Sequence, residues 1–102
     1  MSELRILPQV AQDIASAARW YDQNAYDGLG DRFTETFYAC LPDLCERGRI
    51  YRTVHSDFRR ILLPRFPYAV FFRYYSELLI VTLVIHAARD PALIQSLLKT
   101  RR

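Results

Sequence analysis

Apolar residues first appear on alternating positions, in Glu3-Leu4-Arg5-Ile6-Leu7, a pattern that predicts a short strand. It stops at Pro8, which has no N–H to give a sheet ladder. From Pro8 to about Asn24 the period changes: Val10, Ile14, Ala17, Ala18 and Tyr21 share one helical face, and Gln9, Gln12, Asp13, Ser16 and Arg19 lie opposite. Pro8 suits the first turn of that helix. Gly28-Leu29-Gly30 breaks the pattern, and Phe33, Phe37, Leu41 and Leu44 then recur at spacings of four, four and three until Gly48. Two helices joined by a tight glycine turn form an antiparallel hairpin. Pro42 falls inside the second series, where its ring is expected to kink or split the helix.

Residues 49–57 read as a polar connection, followed by three strands: Phe58–Leu63, Tyr68–Tyr75 and Leu78–Ala87. Ser76-Glu77 is short enough to join the last two as a two-residue hairpin. That register pairs Tyr75 with Leu78, Arg73 with Ile80, Phe71 with Thr82, Ala69 with Val84 and Pro67 with His86. Phe71, Phe72, Tyr74 and Tyr75 put apolar mass on both faces of their strand, which therefore needs cover on both sides. The helical hairpin covers one. A final helix, with Asp90 as its cap and Pro91 in its first position, is available for the other, as is a segment of a partner. The order β-α-α-β-β-β(-α) defines a single α+β domain over residues 1–102, a helical hairpin on a mainly antiparallel four-stranded sheet.

With 51% hydrophobic residues and only three glycines, 102 residues can bury one core. The longest apolar run, Leu78–Ile85, is interrupted by Thr82 and is too short to cross a bilayer. Met1 leads into Ser-Glu-Leu-Arg without the apolar stretch of a secretory leader, so a cytoplasmic protein with no membrane partner is expected. Cys40 and Cys45, five apart, lack metal or redox spacing and are expected to be reduced residues in or near the core. Charge is polarised. Residues 1–46 hold eight acids and three arginines, whereas residues 47–102 hold eleven bases and three acids, within a total of +3. Arginines interleaved with aromatics through the second half suit an anionic or large macromolecular partner, against the plainer reading of a solvated basic surface.

Several local features occur together in this order: Ala18-Arg19-Trp20-Tyr21, the turn Gly28-Leu-Gly30 before Phe33, the run from Phe58-Arg59-Arg60 to Arg65-Phe66-Pro67-Tyr68-Ala-Val-Phe71-Phe72, and His86-x-x-Arg89-Asp90-Pro91. Spread over nearly the whole chain, they resemble the RelE/ParE toxin superfamily of bacterial type II toxin–antitoxin modules, closest to the ParE-like, or plasmid-stabilisation, branch. The resemblance implies a growth-inhibiting toxin neutralised by a cognate antitoxin, without a metal or other cofactor. It leaves two mechanisms: RelE-type members cut mRNA on the ribosome, and ParE-type members bind DNA gyrase and trap it on cleaved DNA.

Metal-free RNA cleavage needs a base, an acid and cations around one phosphate. His86 is the candidate acid or base, and Arg59, Arg65, Arg73 and Arg89 are the candidate cations. If the protein acts by binding alone, Arg59, Arg60, Arg65, Arg73, Tyr75, His86 and Arg89 are the expected contacts to target or antitoxin. The predicted register puts Arg73 and His86 on one side of the sheet but about 20 Å apart, too far to share a phosphate. Lys99 is the first lysine and no tyrosine follows Tyr75, so the set typical of RelE-like nucleases is incomplete. The binding mechanism on gyrase is therefore preferred, with mRNA cleavage as the alternative and a non-toxic adaptor as a third reading. The plainer role of His86 is a strand-end residue bonded to a neighbouring carbonyl or to Asp90. Trp20-Tyr21 reads as packing within the helical hairpin, and an antitoxin segment is favoured over the last helix as cover for the second sheet face.

Overall fold

The computed structural model describes residues 3–102, so Met1 and Ser2, read above for a leader, lie outside it. The elements are β1 (Glu3–Ile6), α1 (Pro8–Asn24), α2 (Leu29–Arg47), a 3-10 turn (Gly48–Ile50), β2 (Thr53–His55), β3 (Phe58–Leu62), β4 (Tyr68–Tyr75), β5 (Leu78–His86) and α3 (Pro91–Arg101). Pro8 and Pro91 open their helices at positions whose N–H would have no intrahelical acceptor. Asp90 caps α3 by accepting the Ala92 N–H at 3.0 Å.

The joint between α1 and α2 depends on two glycines and one carboxylate. Gly28 adopts φ 98°, in the left-handed region open to glycine. Asp22 Oδ1 accepts the N–H groups of Gly28 and Gly30 at 3.1 and 2.8 Å, supplying acceptors for the start of α2. Gly30 lies so close to α1 that a Cβ there would come within 2.9 Å of the Ala18 carbonyl carbon and 2.7 Å of Asp22 Oδ2. Gly30→Ala is therefore expected to cost about 1–3 kcal/mol, as overpacking does. Urea unfolding checks this, and an unchanged midpoint would mean that the helices separate there freely. Pro42 does not split α2, which runs unbroken from Leu29 to Arg47. Pro42 and Tyr38 are both exposed, so the Tyr38 carbonyl that loses its helical donor lies on the solvent side, where water can replace it.

The sheet has five strands in the order β1-β5-β4-β3-β2, with β1 parallel to β5 and the other pairs antiparallel. The strand beyond the expected four is β2, from the segment read as a connection. It is a three-residue edge paired through Thr53↔Arg59 and His55↔Phe58.

Next to Ser76-Glu77 the β4–β5 register follows the prediction, with Tyr75 opposite Leu78 and Arg73 opposite Ile80. Beyond Phe72↔Val81 it shifts, giving Phe71↔Leu83, Ala69↔Ile85 and Tyr68↔His86. Thr82 is the extra residue of a β-bulge. The shift corrects the expected placement of Arg73 and His86, which now lie on opposite faces. Phe72 and Tyr74 belong to the cluster under the helical hairpin, so Arg73 points away from it, whereas Tyr68, the partner of His86, packs on the hairpin side.

The bulge is held from outside the sheet. Pairing with β1 ends at Ile6↔Val81, and beyond that point Asp13 of α1 and Arg101 of α3 reach the edge of β5. Asp13 Oδ2 accepts the Val84 N–H at 3.0 Å, and Arg101 bonds the two carboxylate oxygens at 2.7 and 3.0 Å. Arg101 also donates to the Thr82 carbonyl at 3.1 Å.

Two apolar layers flank the sheet. Val10, Ile14, Phe33, Phe37, Val70 and Phe72 are among those on the hairpin side. On the other side Ile94 and Leu98 of α3 pack against Phe58, Ala69, Phe71, Leu83 and Ile85. The chain thus covers this strip with its own C-terminal helix, correcting the preference for an antitoxin segment there. Burying each of those two α3 side chains contributes about 1.5–3 kcal/mol.

Arg102 forms an ion pair with Asp57, holding its carboxyl below the usual carboxylate range through the hydrogen bond. Stability from that pair is present above about pH 4 and lost as pH falls further. It is small, because both side chains are nearly half exposed. Cys40 and Cys45 are free and half-buried, and burial pushes the Cys40 thiol up to about 11, an unreactive state at neutral pH. Among the described residues, no helix is long and apolar enough to cross a membrane.

Candidate functional site

The predicted arginines fall into separate groups. Arg59 faces the hairpin side at the β2–β3 end, where its guanidinium donates to the carbonyls of Tyr51 and, at 3.0 Å, Arg49. Arg49 stacks on Tyr74 at 3.9 Å from the ring centre and donates to the Ser76 carbonyl at 2.7 Å. Arg59 thus ties down the turn before β2. Arg60 and Arg73 lie on the α3 side, Arg60 exposed and Arg73 half-buried near Asp57. Tyr75 is 69% exposed at the hairpin tip, the opposite end of β4 from His86.

Arg65, His86 and Arg89 come together at the other end of the sheet. The link between β3 and β4 carries Arg65, the end of β5 carries His86, and the link into α3 carries Arg89; all three line one groove of about 1040 Å³. Its floor is an aromatic cluster. Tyr21 stacks on Phe33 at 5.7 Å and meets Phe66 edge-on at 5.0 Å, while Phe33 meets Phe66 at 5.1 Å and Tyr68 at 4.9 Å. Trp20 and Tyr26, each 55% exposed, stand at its mouth with Arg32.

His86 is not bonded to a carbonyl or to Asp90 as expected. Its Nδ1 accepts the Ala88 N–H at 3.0 Å, which puts the hydrogen of the neutral ring on Nε2. The ring meets Tyr68 edge-on at 5.4 Å. Burial raises the Tyr68 phenol, an effect only partly offset by the positive charge of Arg89, and burial also raises that of Tyr21. Both phenols stay protonated at neutral pH and act as donors or ring surfaces, not as bases. The groove can therefore bind an anion through Arg32, Arg65 and Arg89, with the His86 imidazole beside them. Among the described residues, no three His, Cys, Asp or Glu side chains gather where they could hold a metal ion.

The groove includes Tyr26 and Arg32, which sequence reasoning passed over, and Trp20, which it assigned to packing within the helical hairpin. Trp20 left a usable signal: it is the residue before Tyr21 in the apolar series of α1, so a large ring sits off the buried stripe. Only Tyr21 of the Trp20-Tyr21 pair packs inward as predicted.

The sequence profile described as the ParE toxin of type II toxin–antitoxin systems, parDE, matches residues 4–91. This chain belongs to the ParE toxin family. The ParE match takes in the hairpin, all five strands and the groove's arginines, and ends where α3 begins. A solved structure described as the chromosomal ParDE toxin–antitoxin system from P. aeruginosa aligns with a TM-score of 0.74 at 15% identity, covering 84% of this chain and 96% of that one. At that identity the likeness is one of fold. The comparison with curated proteins returns no match. The sequence resemblance to the ParE-like branch thus stands, as does the α+β class, with five strands in place of four.

Proposed function

We propose that this ParE-family chain is a toxin, held inactive by a cognate antitoxin, that arrests growth by binding DNA gyrase without cutting nucleic acid itself. The observation that carries the non-catalytic part is the want of a free base beside the cations. Cleavage without a metal needs a group to take the 2′-hydroxyl proton as well as cations at the phosphate. Here Arg59 is engaged by two backbone carbonyls and Arg73 faces the other side of the sheet, and the one imidazole beside Arg65 and Arg89 already accepts the Ala88 N–H at Nδ1, so His86 offers a donor and no free ring nitrogen.

Induced expression without an antitoxin is expected to stop growth, and co-expression of the neighbouring antitoxin frame to restore it. Normal growth with soluble protein present would refute the toxin role. Purified protein should block supercoiling by gyrase and leave cleaved DNA complexes, while a translating extract keeps its mRNA intact. mRNA cuts that disappear in His86→Ala and Arg59→Ala would instead establish the nuclease.

A further inference from the structure

The geometry points to a nucleotide site in the groove at the His86 end of the sheet: a base lies against the aromatic rings and its phosphate sits among Arg32, Arg65 and Arg89. This does not depend on which target the toxin arrests. Charge comes first. Three guanidinium groups and one carboxylate, Glu35, line the groove, so it carries a net +2 before any ligand enters. Among the described residues, none of the three arginines has a hydrogen bond or ion pair through its side chain, whereas Arg59, Arg101 and Arg102 are all engaged. Unengaged guanidinium groups are suited to the oxygens of a phosphate.

The lining distinguishes a nucleotide from an acidic peptide. A peptide helix lays its apolar face into a hydrophobic groove and keeps its charges at the rim, whereas here the three guanidinium groups share one groove with the rings. Here five aromatic rings line the space and only Leu29 and Pro67 are aliphatic. Base–aromatic stacking is the interaction such a surface offers, and Trp20 and Tyr26 already stand half open at the mouth. His86, with Nδ1 occupied, has Nε2–H left to donate to a phosphate or base oxygen. At about 1040 Å³ the groove is at the upper end of ordinary small-ligand sites, with room for a nucleotide and its neighbours in a strand.

Arg65 adds an independent sign. It follows Pro64 in a turn and adopts φ 68°, at the position where glycine or asparagine is usual. The fold alone would favour glycine there. An arginine held in that conformation is explained by what its side chain does in the groove.

The test uses the full chain and four probes: adenosine 5′-monophosphate, adenosine, inorganic phosphate and a ten-nucleotide single strand. Trp20, the single tryptophan, reports from the groove by fluorescence, and calorimetry gives affinities. The monophosphate is expected to quench Trp20 saturably and to bind about tenfold or more tighter than adenosine or phosphate alone. A strand that binds much more tightly than the monophosphate identifies a polynucleotide as the source, and equal affinity identifies a free nucleotide. Arg65→Gly should hold or raise Tm and still weaken binding about tenfold, Arg89→Gln should weaken it similarly, and Arg60→Ala, on the other face, should leave it unchanged. Overturning results are no saturable binding of monophosphate or strand, phosphate alone binding as well as the nucleotide, an acidic peptide binding where nucleotides fail, or full affinity in a folded Arg65→Gly.

Discussion

Replacing Asp13 with alanine is expected to cost about 3–5 kcal/mol, a large share of the roughly 5–15 kcal/mol that holds a domain of this size together. The side chains of Asp13 and Arg101 are only 12% and 14% exposed, so solvent screens the pair weakly. Removing the carboxylate leaves the Arg101 charge uncompensated in a nearly closed site and also strips the Val84 N–H of its acceptor. A buried donor without a partner is itself worth about 1–3 kcal/mol. Because both losses act at one point, Asp13→Ala should exceed Arg101→Ala, which leaves the carboxylate bonded to Val84. The double variant should lose less than the two single losses added together. Urea midpoints for the four proteins decide it. A loss below about 1 kcal/mol in Asp13→Ala would place the pair among ordinary surface bridges.

Phe33→Ala is expected to cost about 3–5 kcal/mol as well, by a different route. Phe33 is fully buried, and its ring lies against Tyr21, Phe66 and Tyr68, each of which lines the groove. The cavity removes transfer energy and ring contacts together, and it also loosens the floor under Trp20. The prediction thus has two readouts: a lower unfolding midpoint, and a shifted Trp20 emission in the still-folded protein. Phe33→Leu, which refills much of the space, should show both effects in weaker form. An emission change without a stability loss would show that Phe33 serves the groove alone.

The two hairpin helices were legible because each is amphipathic over about five turns and bounded by proline or glycine, and the start of α3 was legible because the chemistry of its Asp90 cap is local. The hairpin register held for as long as the two-residue loop controlled it. It failed at Thr82 because the bulge is held by residues 13 and 101, far from it in sequence, and nothing in the alternating pattern of β5 marks one residue as extra. β2 was missed because a three-residue exposed edge has no buried stripe to read. Of the seven candidate contacts, Arg65, His86 and Arg89 share a site because the links after β3 and β5 end side by side, a consequence of strand order that spacing does not reveal.

The polar groups at the bulge of β5 also bear on how the chain is made. Their acceptor arrives early, with residue 13, and their donor arrives with residue 101, after every strand has been synthesised. Synthesis proceeds from the N-terminus, so the residues of the five described strands are all made before the guanidinium that closes the Thr82 carbonyl. The edge of β5 keeps an open backbone group until the last turn of α3 is in place. A chain cut just before Arg101 would keep every residue of its hairpin and groove yet leave the Thr82 carbonyl at that margin without its donor.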